Sequence, residues 1–207
     1  TLFRSMPNYM RLKEYCVKHG YYYLSSIKPY GFGKNNNYVF DFCKKISFKE
    51  EDYFIVFNPD LIIKSDVLLG AIKHMINKGY KLSTIKLFND YEFTKPGNHA
   101  RKFPTIKKII FSFFSKSYRY TYNTEDIKVD CPVDWANGSL MLFTMHHYNV
   151  LNGFDERFFM YCEDIDICRR SMLYEASPIF YLPHFKAIHI GQRKSRAMLN
   201  KNFIFHL

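Results

Sequence analysis

Residues 53–57 read YFIVF, five apolar positions without interruption, and a run so short and so apolar is the signature of a strand buried on both faces of a parallel sheet. A strand of that kind needs helices over it, and the neighbouring sequence supplies them. Ser65 stands as a cap before a helical pattern over 66–78, with apolar positions at Val67, Leu68, Ile72, Met75 and Ile76 and a stop at Gly79, and KLSTIKLF (81–88) reads as the next strand. Upstream, a helix is predicted over 8–19 between a capping Asn8 and Gly20. An aromatic strand over 21–25 (YYYLS) follows, then a Gly- and Pro-bearing loop over 26–34 and a helix over 35–46. Two more strand-like runs, SLMLF (139–143) and KAIHI (186–190), lie further on. Alternation of this kind places the chain in the α/β class.

A chain of 207 residues with 47% apolar content suits one domain with a full core, here 1–207. It contains no run of eighteen apolar residues, and residues 1–20 lack a charged start followed by an apolar core, so a cytoplasmic location is expected. The five cysteines, Cys16, Cys43, Cys131, Cys162 and Cys168, are odd in number and make no C-x-x-C pair. They argue against a disulfide framework or a zinc site and read as small core residues. The net charge of +11 calls for an anionic partner: nucleic acid, acidic lipid or a phosphorylated ligand. With no zinc-finger spacing, RNP-like motif or basic-region heptad, specific nucleic-acid reading has little support.

Chemistry concentrates in FFMYCEDIDICRR (158–170). The aromatic run 158–161 reads as a buried segment delivering Glu163, Asp164 and Asp166 to a helix start, where backbone N–H groups and the macrodipole hold carboxylates ionised. An ionised, positioned carboxylate is a general base; a helix that merely begins with acids for stability is the plainer alternative. GFGKNNN (31–37) offers Gly31 and Gly33 for close backbone approach and the amides of Asn36 and Asn37 for ribose or phosphate, or is an ordinary Gly-Asn turn. Asn58-Pro59-Asp60 directly follows the predicted strand 53–57, and the carboxyl ends of strands are where open α/β sheets place ligands; it also suits an Asx-Pro turn. Trp135, the only tryptophan, and Gly138 suit a sugar-stacking wall or the core. His189 alone would be a core histidine.

In order along the chain, GFGKNNN, FNPD (57–60), VDWANGSLMLF (133–143), NGFDERFFMYCEDIDICRR (152–170) and YLPHFKAIHIG (181–191) resemble the motifs of the family 2 glycosyltransferases, specifically their O-antigen rhamnosyltransferase branch. The resemblance covers about residues 9–200. It implies a GT-A-like nucleotide-sugar transferase sheet with flanking helices. Because the family's first strands are not visible before residue 9, it also implies an N-terminally incomplete domain. Residues 1–90 would form the donor and metal side, 91–132 a basic-aromatic insertion, and 133–207 the acceptor and catalytic part.

By the same resemblance Asp164 is the base, with Glu163 as the alternative or an acceptor-orienting group. Gly31, Gly33, Asn36, Asn37 and Asn58 face the donor, Trp135 and Gly138 the acceptor, and Asp60 with His189 holds Mg²⁺ or Mn²⁺. The implied reaction is inverting transfer from dTDP-L-rhamnose to a lipid-linked saccharide at the inner face of the bacterial plasma membrane. An inactive glycosyltransferase-like binding or scaffold protein is the alternative. A helix over about 104–115, with Ile106, Ile109, Ile110, Phe113 and Phe114 on one stripe between lysines, is a candidate contact with an anionic membrane surface.

Overall fold

The computed structural model describes residues 9–26, 28–46, 49–104 and 121–190. Two helices, α1 (Tyr9–Lys18) and α2 (Phe32–Lys45), precede strand β1 (Tyr53–Phe57), the two-residue β2 (Leu61–Ile62), helix α3 (Ser65–Lys78) and strand β3 (Leu82–Phe88). The short strands β4 (Ala100–Arg101), β5 (Cys131–Val133) and β6 (Trp135–Ala136) lead to β7 (Leu140–Thr144). Helices α4 (Met145–Val150) and α5 (Glu163–Glu175) and the long strand β8 (Ile179–His189) complete the order.

The main sheet runs β1-β7-β3-β8-β2, with β5 also on β8, and β4 pairs with β6 separately. Its α/β class agrees with the sequence, but the sheet is mixed rather than parallel. Among the described residues only β3 and β8 run parallel; β1–β7, β3–β7, β2–β8 and β5–β8 are antiparallel. The YFIVF run is accordingly not a central strand. Among the described residues β1 pairs with β7 alone, only its Phe54 and Val56 are buried, and Phe57 is 54% exposed.

β7 explains how the sheet is covered. Its side chains alternate with period 2, so Met141 and Phe143 enter one apolar cluster with Tyr148, Phe154 and Ile167 from the α4–α5 side. Leu140 and Leu142 enter the other, with Ala71 and Met75 of α3. Each fully buried side chain of this size contributes about 1.5–3 kcal/mol.

The helix expected over 66–78 is present, closed by Gly79 in the left-handed region at φ 68°. Ser65 lies inside it, and Lys64 occupies the capping position without a side-chain bond. The helix expected over 35–46 begins at Phe32, which puts the Gly-Asn segment within α2. Residues 21–25 form no strand, and Tyr21 and Tyr22 stand exposed. The stretch 158–161, expected to be buried, is a half-exposed turn, and Cys162 is exposed while Cys168 is buried. Most of the amphipathic stretch over 104–115 lies outside the described residues, among which no helix is long and apolar enough to cross a membrane.

Candidate active site

After β1 the chain turns sharply. The Asn58 N–H donates to the Ser139 carbonyl (3.0 Å), the Leu61 N–H returns to the Asn58 carbonyl (3.1 Å), and β2 then pairs with the end of β8 with Leu61 opposite His189. This turn carries Asp60 to His189, Oδ1 to Nε2 at 3.2 Å, with the Asn58 amide nitrogen 3.5 Å from the same ring nitrogen. Three groups that the sequence separates by up to 131 positions thus meet at one corner of the sheet. A carboxylate and an imidazole are two donors, and among the described residues no cluster of three or more His, Cys, Asp or Glu side chains forms. The carboxylate suits a hard divalent cation completed by phosphate oxygens and water, the imidazole is a borderline donor that suits Mn²⁺ better than Mg²⁺, and two donors do not make an all-protein cage.

The second group sits at the start of α5. Tyr161 and Cys162 hold φ of 71° and 69°, a left-handed conformation that costs a non-glycine residue about 1–2 kcal/mol. Through them the half-exposed turn enters the helix with Glu163 directed inward. Glu163 is 5% exposed, and its Oε2 is buried without a partner. Burial, reinforced by the neighbouring Asp164 charge and opposed by a backbone hydrogen bond, pushes its carboxyl from the ordinary 4.5 up to about 7. Asp164 is half-buried. Its Oδ1 accepts from the Ile165 N–H (2.9 Å) and its Oδ2 from the Gly138 N–H (3.3 Å). Burial raises Asp164 too, while these two N–H groups and the Arg101 guanidinium pull it back.

Gly138 and Ser139 join the two groups. The Gly138 N–H reaches Asp164, and the next carbonyl, of Ser139, receives the Asn58 N–H. A Cβ on Gly138 would stand 2.7 Å from the tip of the Phe32 ring of α2, so the ring would have to shift to admit one.

The raised Glu163 carboxyl has a consequence for stability. Below about pH 4.5 folded and unfolded chains both carry it neutral. Between 4.5 and 7 the unfolded chain ionises first and stability falls, and above 7 the whole cost is present. Glu163→Gln is therefore expected to be nearly neutral at pH 4.5 and to stabilise by about 2 kcal/mol at pH 8. Urea titrations of both proteins across this range are the check; a gain independent of pH would show that Glu163 is not the titrating group.

The remaining expected site residues divide. Gly31 caps α2, and a Cβ there would lie 1.9 Å from the Phe159 carbonyl oxygen; Gly33 backs onto Phe154 at 2.8 Å and faces the Glu163 side chain. Asn36 donates to the Phe32 carbonyl within its own helix. Asn37 uses both amide atoms on the protein. Its oxygen accepts from the Tyr148 hydroxyl (2.8 Å) and the Phe154 N–H (2.9 Å), and its nitrogen donates to the Phe154 carbonyl (2.8 Å). The structure thus brings Asn58, Asp60 and His189 together, and Gly138, Glu163 and Asp164 together, while Asn37 holds α2 to the turn at Phe154.

Trp135 is 7% exposed, its indole N–H donates to the Lys102 carbonyl (3.0 Å), and the Arg101 guanidinium covers its ring at 5.1 Å. Arg101, a residue that pattern reading missed, is thereby placed where its charge acts on Asp164. The missing cue was the pairing of β4 with β6, which sets Arg101 opposite Trp135 and which two-residue strands do not announce in sequence.

A cavity of about 540 Å³ lies between α2, α4 and the 151–156 turn, and none of Asp60, Glu163, Asp164 or His189 lines it. Its charged walls are already paired: Lys44 with Asp41, Glu156 with Lys34, and Arg170 with Asp166.

A mixed sheet flanked by helices, with a carboxylate–imidazole corner and an acid-bearing helix start tied through one Gly-Ser turn, has the layout of a GT-A-like glycosyltransferase. The solved structure of A197 from STIV superimposes with a TM-score of 0.51 over 88% of this chain and 80% of that one, at 14% identity, a likeness of fold. No family model matches the chain. Rhamnosyltransferase WbbL of Escherichia coli is 38% identical over 206 residues, 99% of this chain and 77% of that protein. The chain belongs to the family 2 glycosyltransferases, in their rhamnosyltransferase branch. The N-acetylglucosaminyl-diphospho-decaprenol L-rhamnosyltransferase of Mycobacterium tuberculosis is 39% identical over 127 residues, 56% of this chain and 40% of that protein. The low-salt glycan biosynthesis hexosyltransferase Agl10 of Haloferax volcanii is 22% identical over 160 residues, 77% of this chain and 49% of that protein.

Proposed function

We propose that the chain is an inverting hexosyltransferase that moves L-rhamnose from dTDP-L-rhamnose to a hydroxyl of a lipid-linked saccharide, in O-antigen or other cell-surface polysaccharide synthesis on the cytoplasmic face of the membrane. The observation that carries this reading is the Gly138–Ser139 turn, which binds the Asp164 carboxylate on one side and the Asn58–Asp60 turn on the other. The names of the Escherichia coli and mycobacterial relatives support the sugar.

In this reading Asp164 takes the proton of the acceptor hydroxyl as its oxygen attacks the anomeric carbon from the face opposite the leaving group. The bond from that carbon to the diphosphate oxygen breaks, and its electron pair leaves with the nucleotide diphosphate. Burial raises the Asp164 carboxyl, and the N–H groups of Gly138 and Ile165 offset part of that rise in favour of the anion a base must be. Glu163, neutral below about pH 7, can donate a hydrogen bond to the acceptor. Asp60 and His189 would hold Mg²⁺ or Mn²⁺, which when bound supplies charge for the departing diphosphate.

The metal assignment has its own test. Calorimetry is expected to show nucleotide diphosphate binding that requires Mg²⁺ or Mn²⁺, disappears with a chelator and weakens in Asp60→Ala. Tight, chelator-insensitive binding would remove the cation from this corner.

A further inference from the structure

The parallel pairing of β3 with β8 is interrupted in a way that places like charges together. Ile85 is opposite Leu182, but the next β3 residue, Lys86, is opposite Lys186, so three extra residues of β8 (Pro183, His184 and Phe185) are looped out between them. Irregularities of this kind re-aim side chains, and this one sets two lysines side by side near the carboxyl ends of the two parallel strands. Both ammonium groups lie over the same ring, that of Phe88, at 5.6 and 5.9 Å. Lys86 is half-buried and donates to the Thr124 carbonyl at 2.9 Å. The charge of Lys128 also acts on Lys86, and the Glu125 carboxylate acts on it in the opposite sense.

Among the described residues none of the three lysines makes an ion pair within 4.0 Å. Directly opposed like charges destabilise a sheet, and here the looped-out residues create the opposition instead of relieving it. An arrangement of that kind is useful when an anion completes it. Lysines without a carboxylate partner suit a phosphate, which they hold as point charges through flexible donors.

We infer that Lys86 and Lys186 form a phosphate-binding site, distinct from the Asp60–His189 corner, that takes the phosphate or diphosphate group of a soluble or lipid-borne ligand. Burial and the two neighbouring lysines hold the Lys86 ammonium below its ordinary range, which is consistent with a cluster awaiting an anion. The site stands independently of the proposed sugar transfer, because it needs no divalent cation and touches neither Asp164 nor His189 in any contact described above.

The test is calorimetry and thermal melting with inorganic pyrophosphate, in chelator so that the Asp60–His189 corner is silent. Flotation with vesicles of phosphatidylglycerol or of phosphatidylcholine is run alongside. The wild-type chain is expected to bind pyrophosphate and melt higher in its presence, and Lys86→Gln with Lys186→Gln to lose at least about tenfold in affinity and the whole melting shift. If the ligand is instead a headgroup in a bilayer, pyrophosphate gives little and anionic but not neutral vesicles float the wild type more than the double variant. Pyrophosphate and vesicle binding unchanged in a folded double variant would overturn the site. So would binding that appears only with added Mg²⁺, because it would belong to the other corner.

Discussion

Asp164→Asn is expected to lower turnover by about 10²-fold or more while leaving nucleotide diphosphate affinity and melting temperature near those of the wild type. The substitution keeps the shape and removes only the ability to take a proton. One of the two N–H bonds to Asp164 is lost, since an amide nitrogen cannot accept from Gly138 or Ile165, at a cost of about 1 kcal/mol. Against this, the side chain no longer bears the charge that burial disfavours there. The two changes oppose each other, so stability should hardly move while catalysis collapses. Initial-rate assays with Asp164→Asn and Glu163→Gln side by side decide between adjacent acids. Full turnover in Asp164→Asn with none in Glu163→Gln would reverse the two roles.

Much of this site is legible in the amino-acid order itself, for identifiable physical reasons. Asp60 stands out because it lies in a turn directly after an apolar strand, whereas His189, which alone reads as a core histidine, stands out only through the family resemblance. Their meeting at 3.2 Å depends on the antiparallel pairing of two-residue β2 with β8, which no local pattern reports. The acids at 163 and 164 announce a helix start, and α5 begins there. What composition does not convey is how differently the two are solvated: Glu163 has a buried oxygen with no partner, and Asp164 has two N–H donors.

The parallel sheet expected from YFIVF is mixed because an apolar run measures burial and not strand direction, and Phe57, its last residue, extends past the cover of the helices. YYYLS has strand composition but pairs with no strand among the described residues. Tyr21 instead lies near Tyr15 and His19 of the α1 end, and Tyr22 against Phe42 of α2. Asn37 shows the reverse error of scale. An asparagine in a Gly-Asn segment looks available to a ligand, yet its partners at Tyr148 and Phe154 lie more than 100 residues away.

Gly31→Ala is expected to be among the most damaging single-methyl changes in the chain, through packing and not through lost backbone freedom. Gly31 has φ −68° and ψ 172°, which alanine adopts without strain. The added Cβ, however, would lie 1.9 Å from the Phe159 carbonyl oxygen and 2.6 Å from its carbon, both backbone atoms that cannot rotate away. That same oxygen accepts the Phe32 N–H at 3.1 Å, the bond that docks the 158–161 turn onto the first turn of α2. Relief of the clash must push this turn outward, breaking the bond and disturbing the left-handed Tyr161–Cys162 pair that aims Glu163 inward. A loss of about 3 kcal/mol is expected from overpacking, which for a chain of this size lowers the melting temperature by roughly 6–12 °C. Gly20→Ala supplies the contrast: φ is +69° there but nothing lies within 4 Å of the added carbon, so about 1–2 kcal/mol is expected from backbone strain alone. Calorimetric melting of the two variants separates the mechanisms. Equal losses would show that the turn can yield without cost and that Gly31 is not held by contact with Phe159.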